Sequence, residues 1–490
     1  MIRRLGLLLI AAFVLAACSK DEEEPVLHLS QPIALLAADA DAVATIDVDA
    51  PEPWSLTTSG EGFLVSPVQG GQGVTRVTIT VTEPNDAPKR RTLGSVRFRL
   101  IDGTVEYTLE VAQRPATATQ TMLLYMPGHQ LLDDYENNID GIRSAVNARM
   151  PGDGRILVCY QPDRRSDRAT LLEIGYDAQT QQCTTFIHGE FDPFRADDPA
   201  DVEQMLAQVA EIAPAQRYGL VIGCHGKGWI PAGGSVTALG RRPGEADDLW
   251  TPVPGALPTR AFGDPGREMD IAQLAAAIDA QKFRIAWLIF DACFMANIET
   301  LYDLRGSVER VVAAPCEIMA AGFPYSRAVP RLFADNGATC DLKGACYEFW
   351  NFYENDWKSV PRNAQSGCIS LAVTAELDGL ADVMRRINQK GLLPYEPNDL
   401  QIYEGLTSHL FFDLGHYTQT VCPDAALLAE FNERMERAFP VDCRFHTQAF
   451  YSVYNGKMNP IRHYSGVSVS EPSKRQVDAN RQTAWYRETH

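Results

Sequence analysis

From Thr121 onward, short unbroken apolar runs alternate with longer stretches in which apolar residues return every three or four positions. Met122–Met126, Arg155–Tyr160, Tyr218–Gly223, Ile285–Phe290, Val308–Ala314 and Cys368–Val373 read as strands, the most continuous of them as strands covered on both faces. Asp133–Arg149 places Tyr135, Ile139, Ile142 and Val146 on one helical face, and Asp197–Ile212 does the same with Val202, Met205, Leu206, Val209 and Ile212. Further helices are predicted over Glu268–Gln281, Asp341–Trp357, Ala375–Gln389 and Ala425–Ala438. Leu171–Tyr176 and Thr184–His188 predict a hairpin or an edge extension, and Phe445–Tyr454 and His463–Ser470 predict late strands. The polar C-terminal stretch predicts a short docked helix around Trp485. Strands alternating with helices give an α/β domain over 121–490.

Residues 25–114 carry a different pattern. Val43–Val48, Trp54–Thr58, Phe63–Ser66, Val74–Val81, Leu93–Leu100 and Val105–Val111 alternate or are β-branched, and no helical period intervenes. Gly70-Gly71, Pro84-Asn85-Asp86 and Asp102-Gly103 punctuate them, the last as a two-residue hairpin signal. An Ig-like β-sandwich follows from this. Arg114–Gln120 is a short linker.

With 490 residues, 45% of them hydrophobic and 22% charged, the chain suits a globular protein of two or three domains. A net charge of −19 argues against nucleic acid as a partner and favours cationic substrates at long range. The N-terminus changes the picture more. Arg3 and Arg4 precede the apolar run Leu5–Val14, then Leu15-Ala16-Ala17-Cys18. This has the anatomy of a secretory signal over 1–18, too short for a comfortable membrane span, an uncleaved anchor helix being the alternative. The cysteine after the small residues resembles the bacterial lipobox, which implies lipidation at Cys18. The acidic tether 19–24 resembles the export signal of surface lipoproteins in Bacteroidetes-type bacteria. An outer-membrane lipoprotein, surface-exposed or facing the periplasm, is the implied localisation. The other ten cysteines show no CxxC or zinc-type spacing, so no structural metal is expected. Disulfides are compatible with export, and Cys340 and Cys346 are the closest pair, but spacing alone does not establish a bond.

Two strand ends carry candidate chemistry: Leu220-Val221-Ile222-Gly223-Cys224-His225-Gly226-Lys227-Gly228-Trp229 and Phe283-Arg284-Ile285-Ala286-Trp287-Leu288-Ile289-Phe290-Asp291-Ala292-Cys293. In open α/β sheets, ligands bind beyond the carboxyl ends of the strands. A thiol and an imidazole on one sheet edge are the minimum for a cysteine peptidase. The thiolate attacks a carbonyl carbon, and the imidazole protonates the leaving amine. Gly226 leaves room for a substrate carbonyl, and its N–H with that of Cys293 would form an oxyanion hole. The bland alternatives are a structural buried cysteine and a hydrogen-bonded histidine. Asp291 and Cys293 stand at i and i+2, so a continuing strand projects both to one side. A carboxylate there disfavours the thiolate, which suits Asp291 to receiving a substrate guanidinium or ammonium. Capping the helix predicted after Cys293, with Met295, Ile298, Leu301 and Tyr302 at helical spacing, is its alternative role.

His-Gly-x-Gly-Trp after one apolar strand and Asp-x-Cys-x-Met-x-x-x-Glu after another resemble the clostripain family of cysteine peptidases, in the caspase, gingipain and legumain clan. Asp291, Cys293, Met295 and Glu299 carry the match, with Val312-Ala313-Ala314, Glu317, Gly322-Phe323-Pro324-Tyr325 and the late Tyr464–Val469. Phe294 stands where leucine is usual, and Cys316 with Ile318–Ala321 replaces a more acidic, glycine-richer turn, which puts the wall of the substrate pocket in doubt. The resemblance implies a caspase-like three-layer α/β/α fold and an endopeptidase acting through a dyad of His225 and Cys293. It also implies Asp291 at the base of an S1 pocket selecting Arg or Lys, in protein or peptide substrates. Glu299 reads as a structural helix residue and Glu317 as a pocket-lining candidate. Cleavage between the dyad residues is implied as activation. We expect it within about 227–284, in the loop carrying Arg241, Arg242, Arg260 and Arg267, the alternative being a solvated basic loop. No cofactor is expected; calcium dependence occurs in clostripain, but no compact calcium loop is visible here. The N-terminal sandwich resembles BACON-type domains, which implies either a spacer or glycan contact. Two rivals remain: a clan member with another P1 preference, and a non-catalytic adhesin or glycan-binding lipoprotein on a peptidase-like scaffold.

Overall fold

Side chains along Thr121–Met126 divide by parity. Met122, Leu124 and Met126 enter one apolar cluster and Leu123 and Tyr125 another, as a strand buried on both faces requires. This computed structural model describes residues 27–87, 89–103, 105–178, 180–232, 267–357 and 364–490. Thr121–Met126 (β1) lies inside a nine-stranded sheet with Arg155–Tyr160 (β2), Ala169–Asp177 (β3), Gln182–Phe191 (β4), Tyr218–Gly223 (β5), Ile285–Asp291 (β6), Arg310–Ala313 (β7), Ile369–Val373 (β8) and Arg444–Phe445 (β9). The spatial order is β4-β3-β2-β1-β5-β6-β7-β8-β9. The five central strands, β2 to β7, are parallel, and the outer two on each side run antiparallel.

Helices cover both faces. Leu132–Ala145 (α1), Tyr325–Leu332 (α5) and Leu342–Asn351 (α6) share one cluster with Trp287 and Ile289. Pro199–Ile212 (α2), Ile271–Asp279 (α3), Leu377–Lys390 (α7) and Ala425–Ala438 (α8) share the other with Leu288 and Phe290. The result is a three-layer α/β/α sandwich of caspase-like architecture. The chain leaves β1 toward β2 on one side and returns to β5 on the other. The sheet therefore has a topological switch point between β1 and β5, and the crevice beyond their carboxyl ends is where such sheets bind ligands.

One local detail sets the alignment of the strand tips. Tyr218 pairs with Ile285, but Gly219 pairs with Trp287, so β6 carries one extra residue. A Cβ on Gly219 would lie 2.0 Å from the Trp287 ring, so only glycine admits that ring at this register. After the slip, Gly223 stands opposite Asp291.

The helix expected directly after Cys293 begins later, at Ile298 (α4, Ile298–Asp303), and its cap is Asn297, whose side chain accepts the Thr300 N–H. The capping role considered for Asp291 falls away with it. Phe294 has φ 61°, and the Phe294 and Ala296 N–H groups donate to Cys316 O and Ala314 O. Residues 292–296 are spent on pairing with the next strand's extension instead of a helical turn. The late strands are also shorter than expected. Ala449–Ser452 pairs with Lys457–Pro460 and Ser468–Val469 with Phe412–Asp413, outside the main sheet. Trp485 does anchor a terminal helix, Ala484–Thr489, with its ring edge-on to Tyr302 at 5.5 Å.

The N-terminal region is a sandwich of a four-stranded and a five-stranded sheet around Trp54, Ile46, Val77, Phe98 and Val111. The Asp102-Gly103 connection is longer than two residues, since Leu100 N–H reaches Val105 O. Arg90 of the sandwich pairs with Asp153 at 2.8 Å, and the Thr45 N–H donates to Ala178 O at 3.0 Å. Leader, Cys18 and acidic tether lie outside the described residues, as do Arg241, Arg242 and Arg260. Among the described residues no helix is long and apolar enough to cross a membrane. Among the described residues the ten cysteines from Cys159 to Cys443 form no disulfide, Cys340 and Cys346 included.

Candidate active site

β5 and β6 deliver the two candidate side chains. With Gly223 opposite Asp291, His225 and Cys293 each stand two residues beyond the last pair, and Cys224 N–H still donates to Asp291 O at 3.3 Å. The two tips touch through backbone. A Cβ on Gly226 would lie 2.2 Å from Cys293 O and 2.9 Å from Cys293 N. One on Gly228 would lie 3.1 Å from Phe294 O. Lys227, between them, is ion-paired with Glu268. Trp229 Nε1 donates to Ser470 Oγ at 2.7 Å and anchors the far end of the His225 loop.

Cys293 is 1% exposed. Its Sγ accepts the Ile318 N–H at 3.2 Å, so the 316–322 segment stands over the sulfur. This is the segment in which Cys316 and Ile318–Ala321 depart from the family pattern. Asp291 belongs to the same sheet face as Cys293, as the i, i+2 spacing expects. It is fully buried, and its Oδ2 accepts the Phe323 N–H at 3.2 Å and the Tyr325 hydroxyl at 2.9 Å. Glu317, also buried, accepts the Val453 N–H at 2.9 Å. Among the described residues no group of three or more His, Cys, Asp or Glu is placed to hold a metal ion.

Two supports were not visible as motifs. Gln130 follows β1 at the switch point, and its Oε1 lies 3.0 Å from His225 Nε2. Glu404 is a buried carboxylate that accepts the Leu406, Leu410 and Phe411 N–H groups and contacts His409 Nδ1. It shapes the loop that stacks Phe411 on Phe294, ring centroids 4.9 Å apart. The available signal for Gln130 was positional: a polar residue just past the carboxyl end of a buried strand.

Glu299 holds the back of the site together. Its Oε1 accepts the Ser470 N–H at 2.8 Å and Asn480 Nδ2 at 3.1 Å, joining α4 to the residue that holds Trp229. Burial pushes its carboxyl up to about 7, against the lowering effect of these donors, and burial does the same to Glu471. The folded protein therefore keeps protons that the unfolded chain releases near the ordinary carboxylate value. Stability from this source is complete at low pH and is lost as pH rises through about 7. Each group is worth up to about 3 kcal/mol. In a Cys293→Ala background, Tm should fall between pH 5 and pH 8, and adding Glu299→Gln should flatten that slope. A slope unchanged by the substitution rules out Glu299 as its source.

A cysteine at the tip of a parallel strand, in a three-layer caspase-like sheet, is an arrangement that suits a cysteine peptidase. Residues 262–459 match the clostripain family model, Peptidase_C11. A secreted C11 cysteine protease from Bacteroides thetaiotaomicron, "iotapain", is similar at 28% identity and TM-score 0.66, over 76% of this chain and 100% of that one. An inactive zymogen C11 protease from Parabacteroides distasonis shares the fold at 23% identity and TM-score 0.62, over 77% of this chain and 99% of that one. A secreted C11 protease from B. thetaiotaomicron bound to an irreversible peptide inhibitor shares it at 20% and 0.62, over 76% and 99%. No curated protein sequence matches the chain. The stretch 262–459 is thus a clostripain-type peptidase region, and the protein is a cysteine endopeptidase.

Proposed function

We propose that the protein cleaves peptide bonds after Arg or Lys, with Cys293 as nucleophile and His225 as proton carrier. The observation that carries this is the register of β5 on β6, which sets both residues the same distance past paired strand ends. His225 takes the thiol proton. The thiolate adds to the substrate carbonyl carbon, and the Gly226 and Cys293 N–H groups receive the oxyanion. The C–N bond breaks as the imidazolium protonates the departing amine. Water then attacks the thioester, passes a proton to the imidazole and releases the acid and the thiolate. In this reading the 316–322 segment lifts Ile318 from the buried sulfur before a peptide reaches it. Cleavage of the loop between His225 and Cys293 is the proposed trigger.

Asp291 supplies the P1 preference in this reading. It lies on the nucleophile's side of the sheet, and a buried carboxylate binds a cation strongly once water is excluded. Asp291→Asn keeps the shape and removes the charge. It should lower kcat/KM for Arg and Lys substrates by about 100-fold, the worth of a charge-assisted contact, and leave Asn- or Asp-ended peptides unchanged. A series of fluorogenic peptides ending in Arg, Lys, Asn or Asp reads this directly, and an unaltered profile removes Asp291 from the pocket.

Export fits the secreted relatives and the leader pattern, with lipidation at Cys18 holding the protein at the outer membrane. The BACON-like sandwich is then the spacer that lifts the peptidase domain from the lipid. Metabolic labelling with a fatty-acid probe, lost in Cys18→Ala, tests the anchor.

A further inference from the structure

We infer that Gln130 is a positioning residue that fixes the His225 ring and selects which of its nitrogens exchanges protons with Cys293; this rests on His225 being the proton carrier. His225 Nε2 lies 3.0 Å from Gln130 Oε1. An amide oxygen only accepts, so the contact requires a proton on Nε2. Two forms of the ring meet that condition: the imidazolium and the neutral tautomer protonated at Nε2. These are the two forms through which a proton carrier must pass. The inference assigns Nδ1 as the working nitrogen, taking the thiol proton and returning it to the leaving amine. The opposite amide orientation would need a bare Nε2, which the imidazolium does not offer. Without Gln130 the neutral ring also samples the Nδ1–H tautomer, which has no lone pair to offer the thiol on that side.

The backbone on either side of Gln130 is tied down by hydrogen bonds. Tyr135 OH donates to Pro127 O at 2.9 Å, and the Gly128 N–H donates to Gln161 Oε1 at 3.4 Å. His129 Nε2 lies 3.2 Å from Ser166 O, and Leu132 N–H donates to His129 O at 3.3 Å. Gln161 follows β2 as Gln130 follows β1 and His225 follows β5, so three adjacent strand tips form one polar rim at the switch point. A side chain launched from so fixed a loop can hold the imidazole at small entropic cost. Gln130 is also neutral. It orients the ring without the charge by which a carboxylate would stabilise the imidazolium.

The test uses the full-length, processed enzyme with an Arg-ended fluorogenic peptide between pH 5 and pH 9. Gln130 is exposed, so its substitution leaves the core untouched. Gln130→Ala should lower kcat about tenfold with KM within about twofold, because orientation and not binding is lost. Gln130→Glu should restore much of kcat and raise the imidazole limb of the kcat/KM profile by about half to one pH unit, a move Gln130→Ala does not make. If both variants overlay the wild type in kcat and in both limbs, Gln130 is only a surface neighbour and the inference falls. His225→Ala separates the two levels. If His225→Ala is inactive while the Gln130 variants are unchanged, this inference alone is overturned. If His225→Ala stays active, the reading of His225 as proton carrier is overturned with it.

Discussion

Cys293→Ala should abolish peptide cleavage and leave a folded, uncut chain. Cys293 is the proposed acyl carrier, so the expected loss is on the order of 10⁴-fold or more, as when a covalent nucleophile is removed elsewhere. The structural cost is small. The side chain contributes one sulfur to the core and one acceptor to the Ile318 N–H, worth about 1 kcal/mol. The same variant reports on activation: wild-type protein should become two chains by cleavage between His225 and Cys293, and Cys293→Ala should remain one. Gel analysis after expression and turnover of Arg and Lys peptides are the two readouts. A variant that still cleaves peptides removes Cys293 as the nucleophile, and cleavage into two chains in both proteins removes self-processing.

The second large effect is expected at a residue with no side chain. In Gly226→Ala the new Cβ would meet Cys293 O at 2.2 Å and Cys293 N at 2.9 Å. Both are backbone atoms, so no flexible side chain can swing away. The β5 and β6 tips must separate, shifting His225 and the proposed oxyanion donor together. A misplacement of about 1 Å costs on the order of 100-fold in rate, and overpacking costs about 1–3 kcal/mol in stability. Gly175→Ala is the matched control, because nothing lies within 4 Å of its Cβ position. Near-normal kcat in Gly226→Ala would mean that the tips are looser than this geometry requires.

Legibility along this chain followed the range of the interaction. The apolar run Ile285–Phe290 reads as a central strand, because a strand with one face in water alternates apolar and polar residues and this one does not. Asp291 and Cys293 share a face because a strand repeats every two residues. The helical spacing of Met295, Ile298, Leu301 and Tyr302 predicts a helix directly after Cys293, where the structure has a turn. What outweighed that spacing was pairing with Ala314 and Cys316, about twenty residues away. Glu404 and Gln130 carry no local motif for the same reason. Their significance lies in N–H groups gathered by a loop and in an imidazole 95 residues distant.

The sequence by itself determined the layered α/β class, the sandwich before it, the order of strands and helices, and the two strand ends that bear thiol and imidazole. These follow from burial patterns that repeat within a few residues. Only the tertiary structure decided that one extra residue in β6 brings Gly223 opposite Asp291, that Gly226 lies against the Cys293 backbone, and that Ile318 covers the sulfur. It alone placed Gln130 on His225. Register, closure and orientation arise from contacts between distant segments, and no local periodicity encodes them.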